Sequence, residues 1–187
     1  MAGKKDDRRV EFTKIMLRRS LASIMKSKPV SKITIKEICE KAELNRGTFY
    51  AHFSDQNDLL RYMEDMEMER LSEYVLSMCC DSEEERERVC AALFRHIRDN
   101  SEVWGSLLSE NGNADFSQRM YEKLLSDLAE AGYCNADNPG DKLAFTYLMV
   151  GCVGMASRWL YEEPQVSPEQ MGKVLCSAMG NKIFGTL

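Results

Sequence analysis

Residues 45–52 of this 187-residue chain combine side chains that suit contact with nucleic acid. Asn45, Arg46, Thr48, Tyr50 and His52 supply amide, guanidinium, hydroxyl and imidazole groups within one short segment. Groups of these kinds bind phosphate oxygens and base edges in duplex DNA. If the segment is a helix whose apolar residues pack inward, the five polar side chains share a free outer face. The spacing therefore predicts a DNA-contacting helix.

The surrounding residues 34–53, TIKEICEKAELNRGTFYAHF, have the pattern of a helix-turn-helix. Thr34 and Glu37 form a T-x-x-E capping box at the start of the first helix. The apolar stripe of that helix consists of Ile35, Ile38, Cys39 and Ala42. After a short turn, Asn45 caps the second helix. Two short helices joined so tightly cannot bury their own apolar faces, so they must pack on the preceding helix, at about residues 8–25.

Charge is divided unevenly along the chain. Residues 1–53 contain 13 Lys and Arg against 6 Asp and Glu, a net charge of +7, whereas residues 54–187 contain 12 against 24, a net charge of −12. A basic N-terminal segment followed by an acidic remainder is typical of a protein that binds phosphate groups at one end. Two solvated faces with a chance bias would give the same count, and charge alone leaves that alternative open.

Apolar residues recur at helical spacing through the rest of the chain, and no alternating strand pattern occurs. The predicted fold class is all-α, with about nine helices. Residues 1–54 form a three-helix DNA-binding domain, and residues 55–187 form a helical domain for dimerisation and effector binding. The later helices are predicted at about residues 54–79, 82–100, around Trp104, 115–131, 141–161, and from Pro168 to about Ile183, with a turn at residues 111–113.

The helix at about residues 141–161 is apolar on nearly every side, which requires burial all round. In a chain of this size, that suggests a helix shared with a second subunit. Gly151 and Gly154 would let two such helices approach closely. The predicted dimer interface comprises Phe145, Met149, Gly151, Cys152, Met155, Trp159, Val174, Leu175 and Ala178.

The helix-turn-helix and its continuation resemble the TetR/AcrR family of transcriptional regulators. The resemblance rests on an ITI start, an EIC-x-x-A helix, an RGTFY recognition helix and an HF-to-DLL exit, within roughly the first third of the chain. It implies an α-helical homodimer whose N-terminal helices bind a near-palindromic operator in double-stranded DNA. The function expected from it is a sequence-specific regulator, more specifically a repressor that an effector releases.

The resemblance also assigns DNA contacts by position. Tyr50 would bind phosphate, Arg46 and Thr48 would approach the major groove or its rim, and Gly47 would allow close backbone approach. Two positions depart from the family pattern: Glu43 stands at a turn position usually held by glycine, and Gln56 stands where relatives have a phosphate-binding lysine. The complete predicted DNA-binding set is Thr34, Lys36, Asn45, Arg46, Gly47, Thr48, Tyr50, His52 and Gln56.

The nature of the signal has two alternatives. In relatives, an effector pocket lies among helices that here carry Phe94, His96, Trp104, Phe116, Tyr121 and Tyr147, although an aromatic residue at such a position is more often plain core. The segment from Gly151, GCVGMASRWLYEEPQVSPEQM, resembles the subgroup that contains the dihydroxyacetone-kinase regulator DhaS, which is thought to act with a protein partner. The signal is therefore a small-molecule effector or a protein, and the alternative function is a partner-dependent co-regulator subunit.

Other function classes have little support in the sequence. There is no nucleophile–base set at readable spacing, no phosphate-cradling glycine loop and no paired carboxylates in an apolar context, so no enzyme activity is expected. His52 and His96 are far apart and the seven cysteines are irregularly spaced, so neither a metal nor a cofactor is expected. No apolar run reaches the ~18 residues of a membrane span, which predicts a cytoplasmic protein without membrane contact.

Overall fold

The computed structural model describes residues 3–109, 113–163 and 165–179, which form nine α-helices and one 3₁₀ turn, Val30–Lys32, with no strand among them. The helices are α1 Gly3–Met25, α2 Ile35–Ala42, α3 Arg46–Tyr50, α4 Gln56–Met78, α5 Glu83–Asp99, α6 Ser101–Leu107, α7 Ala114–Glu130, α8 Pro139–Tyr161 and α9 Pro168–Met179. The all-α prediction is confirmed. The predicted helical position Ile183 and most of the predicted turn at residues 111–113 lie outside the described residues.

Local capping explains where several helices begin. The Ser82 hydroxyl accepts a hydrogen bond from the Glu85 N–H and caps α5. The Asn138 side chain accepts from Gly140 N–H and Asp141 N–H, which starts α8 at Pro139. This start lies two residues before the predicted one, because an Asn cap followed by Pro at the first helical position favours initiation there.

The chain divides into two compact units. Unit 1 comprises Met1–Met66 with Glu102–Asn113, and unit 2 comprises Glu67–Ser101 with Ala114–Leu187. The first half of α4 and nearly all of α6 therefore group with the helix-turn-helix. The domain division at residue 54 stays a prediction.

Unit 1 is built on α1, which packs against α2, while α2 packs against α3. Its apolar core draws one or more side chains from each helix. The fully or almost fully buried members include Leu17, Leu21, Met25, Ile38, Phe49, Leu59, Met63 and Trp104. At its edge, Lys26 Nζ on the segment after α1 lies 3.1 Å from Glu102 Oε1 on α6. The short recognition helix α3 is thus held by a core that reaches well beyond the helix-turn-helix.

Unit 2 contains a tightly packed pair, α5 and α9. A Cβ added at Gly172 of α9 would lie 2.7 Å from the backbone nitrogen of Ala91 on α5, so no larger residue fits without movement. Phe94 packs edge-on against Trp159 with 5.2 Å between ring centroids, and Trp159 Nε1 donates to Val166 O over 2.8 Å. The pair therefore fixes one side of α8.

The other sides of α8 are largely exposed in the single chain. Only Phe145, Ala156 and Trp159 of its 23 residues are buried. By length and composition α8 could cross a membrane: its most apolar 18-residue window has a mean hydropathy of 1.3, and 17% of that window is buried. One such helix is weak evidence for a membrane span, since a helix covered by a second protein chain passes the same test.

Candidate nucleic-acid interface

The start of α2 is fixed by a network around Glu37. Glu37 Oε2 accepts from Thr34 N–H at 2.9 Å and from the Thr34 hydroxyl at 2.8 Å, while Glu37 N–H donates back to Thr34 Oγ1. Lys28 Nζ donates to the other carboxylate oxygen, Glu37 Oε1, over 2.5 Å. The hydrogen bond from Lys28, followed by those from Thr34, lowers the pKa of Glu37 to about 2. The Thr34 hydroxyl proton is therefore already engaged by the cap.

Glu43 forms the turn between α2 and α3 in a left-handed conformation, with φ 56° and ψ 38°. This conformation places a Cβ close to the following carbonyl oxygen and costs ~1–2 kcal/mol for a residue other than glycine. Leu44 N–H donates to Cys39 O over 2.9 Å and closes the end of α2. The turn keeps its shape despite the unfavourable residue.

Asn45 caps α3 through its side-chain carbonyl. Asn45 Oδ1 accepts from Thr48 N–H at 2.7 Å and from the Thr48 hydroxyl at 3.1 Å. A Cβ at Gly47 would come within 3.2 Å of that same oxygen. Gly47 therefore leaves room for the cap, a role in addition to the backbone approach predicted for it.

The orientation of α3 is set by one buried ring. Phe49 is fully buried and packs on Phe53, with ring centroids 6.0 Å apart, and Phe53 packs on Tyr62 at 5.3 Å. Tyr50, the next residue after Phe49, is 58% exposed. Because successive residues on a helix point about 100° apart, burying Phe49 turns Tyr50 outward. Arg46, at the first position of α3, is also exposed.

The charged groups of unit 1 differ in whether they are paired. Lys36 Nζ lies 3.6 Å from Glu40 Oε1, and both side chains are exposed. Arg46 is exposed and has no ion-pair partner in the part of the chain that the structure describes. His52 is half-buried, with its ring 6.4 Å from that of Phe53. Arg46 is thus the cation on this face that is available to an incoming anion.

Gln56 is the first residue of α4 and is half-buried. Asp55 is the cap: its Oδ1 accepts from Asn57 N–H at 2.8 Å and from Asp58 N–H at 2.9 Å. Ser54 N–H donates to Asp58 Oδ2 over 2.8 Å. The Gln56 amide therefore stands at the start of a 23-residue helix, as the family pattern predicts for this position.

The predicted effector-pocket residues do not all lie in one place. Phe94 and Phe116 are buried in unit 2, and Tyr121 is half-buried. Trp104 is buried in unit 1, and Tyr147 is 77% exposed on α8. The sequence could not separate these environments, because an aromatic residue on a helix suits either.

His96, the remaining predicted pocket residue, bonds a carboxylate that sequence reasoning missed. His96 Nε2 lies 2.8 Å from Oε2 of Glu67, which is only 4% exposed. Glu67 continues the inward spacing of Leu60 and Met63 on α4, and that position was the available signal. His96 and Glu67 therefore form a hydrogen-bonded polar pair within unit 2.

The predicted dimer residues also divide by environment. Phe145, Trp159 and Leu175 are buried within the single chain, Met149, Cys152 and Met155 are half-buried, and Gly151, Val174 and Ala178 are exposed. The burial depends on packing between helices: Phe145 of α8 packs on Tyr121 of α7, with ring centroids 5.1 Å apart. The most exposed apolar side chains of α8 are not in the predicted dimer set: Leu143 at 72%, Val150 at 68%, Tyr161 at 60%, and Tyr147, which was predicted for the effector pocket.

The cysteines are free thiols in the described structure. Burial raises the pKa of Cys90 to about 12 and those of Cys79 and Cys152 to about 11. These three thiols are therefore protonated near neutral pH, which disfavours nucleophilic chemistry at them. Among the described residues, no three His, Cys, Asp or Glu side chains come together as a metal-binding group.

The sequence matches models of two known protein families. The model of bacterial regulatory proteins of the TetR family matches residues 22–63, which include the helix-turn-helix. A model of the transcriptional regulator C-terminal region matches residues 84–181, more than half of the chain. A search of curated protein sequences found no significant match.

Solved structures show the same fold. A TetR transcriptional regulator from Streptococcus agalactiae is 21% identical, with 94% of this chain and 98% of that chain covered and a TM-score of 0.57. The fatty acid degradation regulator FadR from Bacillus halodurans is 15% identical, with 89% and 94% covered and a TM-score of 0.64. The dihydroxyacetone kinase operon activator DhaS is 16% identical, with 93% and 98% covered and a TM-score of 0.58.

At these identities the structures show the fold alone, and they do not assign the chain to the DhaS subgroup. The two family matches go further, because together they span the recognition helix and most of the helical C-terminal part. The chain belongs to the TetR family of bacterial transcriptional regulators.

Proposed function

We propose that the chain is a cytoplasmic, homodimeric repressor that binds a near-palindromic DNA operator and is released by an effector of its C-terminal helices. The observation that carries the DNA-binding part is the exposure of Arg46 and Tyr50 beside the fully buried Phe49. Helix α3, held in place by the buried ring of Phe49, exposes the unpaired Arg46 guanidinium and the Tyr50 hydroxyl to solvent. Those are the groups that bind phosphates and base edges.

The charge of the N-terminal segment favours the same surface. Residues 1–53 carry a net charge of +7. Two of the lysines, Lys28 and Lys36, are paired with Glu37 and Glu40, so Arg46 is left as an available contact on the recognition helix. We expect His52 and Gln56 to extend this surface, as positions flanking α3.

The dimer part of the proposal rests on α8. Leu143, Tyr147, Val150, Gly154 and Tyr161, here called the α8 stripe, follow one another at spacings of four, three, four and seven residues. This 3.5-residue period is that of helices which pack along a shared seam. A stable interface buries at least ~1,000 Å², and an exposed apolar stripe on a 23-residue helix suits such a contact.

The effector part of the proposal rests on side chains of unit 2. Phe94, Phe116, Tyr121 and the His96–Glu67 pair provide apolar and polar groups within unit 2. Ligand pockets combine an apolar lining with a few polar groups in this way. An effector there would act by binding one conformation of the dimer more tightly than the other. If only a co-expressed protein changes operator affinity, the partner-dependent alternative replaces the small-molecule effector.

The decisive experiment selects bound duplexes from a random DNA pool with the full chain and then measures affinity against salt concentration. We expect a selected near-palindrome, and binding to it that weakens steeply with salt, because each phosphate contact releases a counterion. Failure to enrich any duplex, together with weak binding that is the same on every sequence, would contradict the proposal. Light scattering that gives 21.4 kDa, the mass of one chain, would contradict the dimer.

A further inference from the structure

The cap of α3 limits what Asn45 can offer to DNA. Its side-chain oxygen has two lone pairs, and the Thr48 N–H and the Thr48 hydroxyl each occupy one. The assignment of oxygen and nitrogen is fixed here, because an amide nitrogen could not accept the bond from Thr48 N–H. The exposed residue Asn45 therefore presents only its Nδ2, which has two N–H donors.

Arg46 adds further donors beside that amide. A guanidinium carries five N–H donors and no acceptor, and in the described structure Arg46 has no carboxylate partner. The recognition helix itself, Arg46–Tyr50, contains no acidic residue. The first two side chains of the recognition segment can thus donate hydrogen bonds but cannot accept them.

Side chains that only donate hydrogen bonds can recognise only bases that present acceptors. Asparagine reads adenine by accepting from N6 and donating to N7, which requires a free side-chain oxygen. Guanine presents two acceptors in the major groove, N7 and O6, and these match the paired donors of arginine. Residues at the N-terminal end of a recognition helix are the ones that contact base edges, and Arg46 is the first residue of α3.

We propose that Arg46 selects a guanine in each operator half-site through N7 and O6, while Asn45 acts only as a donor and does not read adenine. The inference rests on the proposed DNA-binding function and specifies its base preference. Gly47 helps to maintain the arrangement: an added Cβ would crowd Asn45 Oδ1 at 3.2 Å and disturb the bond that keeps this oxygen from the DNA.

The test compares selections from one random duplex pool with the full-length wild type, Arg46→Ala and Arg46→Lys. The wild type should enrich a guanine in each half-site and should bind a duplex with adenine at that position roughly 5- to 150-fold more weakly. Arg46→Ala should bind both duplexes equally. Arg46→Lys keeps the charge but loses the two-donor geometry, so it should keep part of the affinity and lose most of the preference.

Replacing the selected guanine by 7-deazaguanine removes only the N7 acceptor. The wild type should bind this duplex more weakly than the unmodified one, and Arg46→Ala should not distinguish the two. An unchanged guanine preference in Arg46→Ala, with an equal loss on all duplexes, would show that Arg46 binds phosphate and would overturn the inference. Failure of the wild type to select any duplex would instead count against the proposed function itself.

Asn45→Ser and Asn45→Asp test the second half of the inference. Both substitutions keep an oxygen that can cap Thr48 N–H, and thermal melting should report the same fold for both. Asn45→Ser should leave the base preference unchanged. Asn45→Asp should weaken binding to every duplex about equally, by tenfold or more, because a carboxylate then faces the phosphates. An adenine preference that disappears in Asn45→Ser would show that the Asn45 oxygen leaves Thr48 to read a base.

Discussion

The recognition helix in unit 1 and the long helix α8 in unit 2 expose opposite kinds of side chain. α3 has five residues, buries Phe49 completely and exposes Arg46 and Tyr50. α8 has 23 residues, buries only three of them and exposes large apolar side chains such as Leu143 and Val150. The exposed face of α3 is therefore polar, whereas that of α8 carries large apolar side chains.

The difference indicates two kinds of partner. A five-residue helix is too short to be stable by itself, so its position depends on the Asn45 cap and on the packing of Phe49. Its polar face remains compatible with water when no partner is bound. An exposed apolar face is unfavourable in water and marks an interface that stays covered. DNA is the partner that we propose for the first surface, and a second copy of the chain is the one that we propose for the other.

The largest effect is expected from a charge placed on the α8 stripe. Tyr147→Glu should prevent dimerisation, since burying an unpaired carboxylate in an apolar interface is very unfavourable. Light scattering should then give the 21.4 kDa of a single chain. Operator affinity should fall by ~10²-fold or more, because the two DNA-binding units are then no longer linked and bind their half-sites independently.

Tyr133→Glu is the matched control for Tyr147→Glu. Tyr133 is also an exposed tyrosine, at 37%, but it lies in the loop between α7 and α8. The Tyr133→Glu substitution should leave both the mass of the dimer and the operator affinity unchanged. A dimer that survives Tyr147→Glu would move the interface away from the α8 stripe.

Two glycines of unit 2 allow a finer comparison of the core with the exposed face. In Gly172→Ala, the new methyl group meets the backbone of Ala91, and the strain of ~1–3 kcal/mol should exceed the ~1 kcal/mol gained from higher helix propensity. Gly154 has no atom within 4 Å of an added Cβ in the single chain. Gly154→Ala should therefore add no strain to the monomer, which should gain the same ~1 kcal/mol of helix propensity, and should weaken the dimer.

Thermal melting at several protein concentrations separates the two outcomes. Gly172→Ala should lower the melting temperature at every concentration. Gly154→Ala should lower it at high concentration, where the wild type is dimeric, and should not lower it at low concentration, where both proteins are monomeric. A Gly154→Ala protein that is more stable at every concentration would show that this glycine does not lie at the helix crossing.

Features that depend on neighbouring residues were predictable from the sequence. The capping box of Thr34 and Glu37, the cap at Asn45 and the start of α9 at Pro168 each depend on residues within one helical turn. The backbone groups left unpaired at a helix end need a nearby side chain, so composition and spacing identify the cap. The all-α class followed from the helical spacing of apolar residues, which is also a feature of neighbouring residues.

Features that depend on packing between distant segments were not predictable. Phe145 is 3% exposed and Tyr147 is 77% exposed, although both are aromatic residues on the same apolar helix. A helix that is apolar all round has no polar side to indicate which face turns inward. The assignment of Trp104 to unit 1 depends on the core that α1, α4 and α6 build together, which leaves no local signal.

A smaller effect is expected at the turn of the helix-turn-helix. Glu43→Gly should raise the free energy of unfolding by ~1 kcal/mol, because glycine adopts the left-handed conformation at φ 56° without the Cβ clash. Glu43→Ala removes the same charge and keeps the Cβ, so it should give no comparable gain. Denaturant titration measures both variants, and equal stabilisation by the two would show that charge, not backbone strain, sets the effect.

The smallest effect concerns the neutral residue at the start of α4. Gln56→Lys should tighten binding to every duplex and steepen the slope of log affinity against log salt by about −0.9 per subunit, the contribution of one phosphate. Asn57→Lys is the control: it adds the same charge one residue along, at an exposed position whose backbone N–H is held by Asp55. It should raise affinity less and leave the slope nearer to that of the wild type, because its side chain points about 100° away around the helix. An unchanged slope in Gln56→Lys would show that α4 does not approach the DNA backbone. The DNA contacts of this protein would then be confined to the helix-turn-helix.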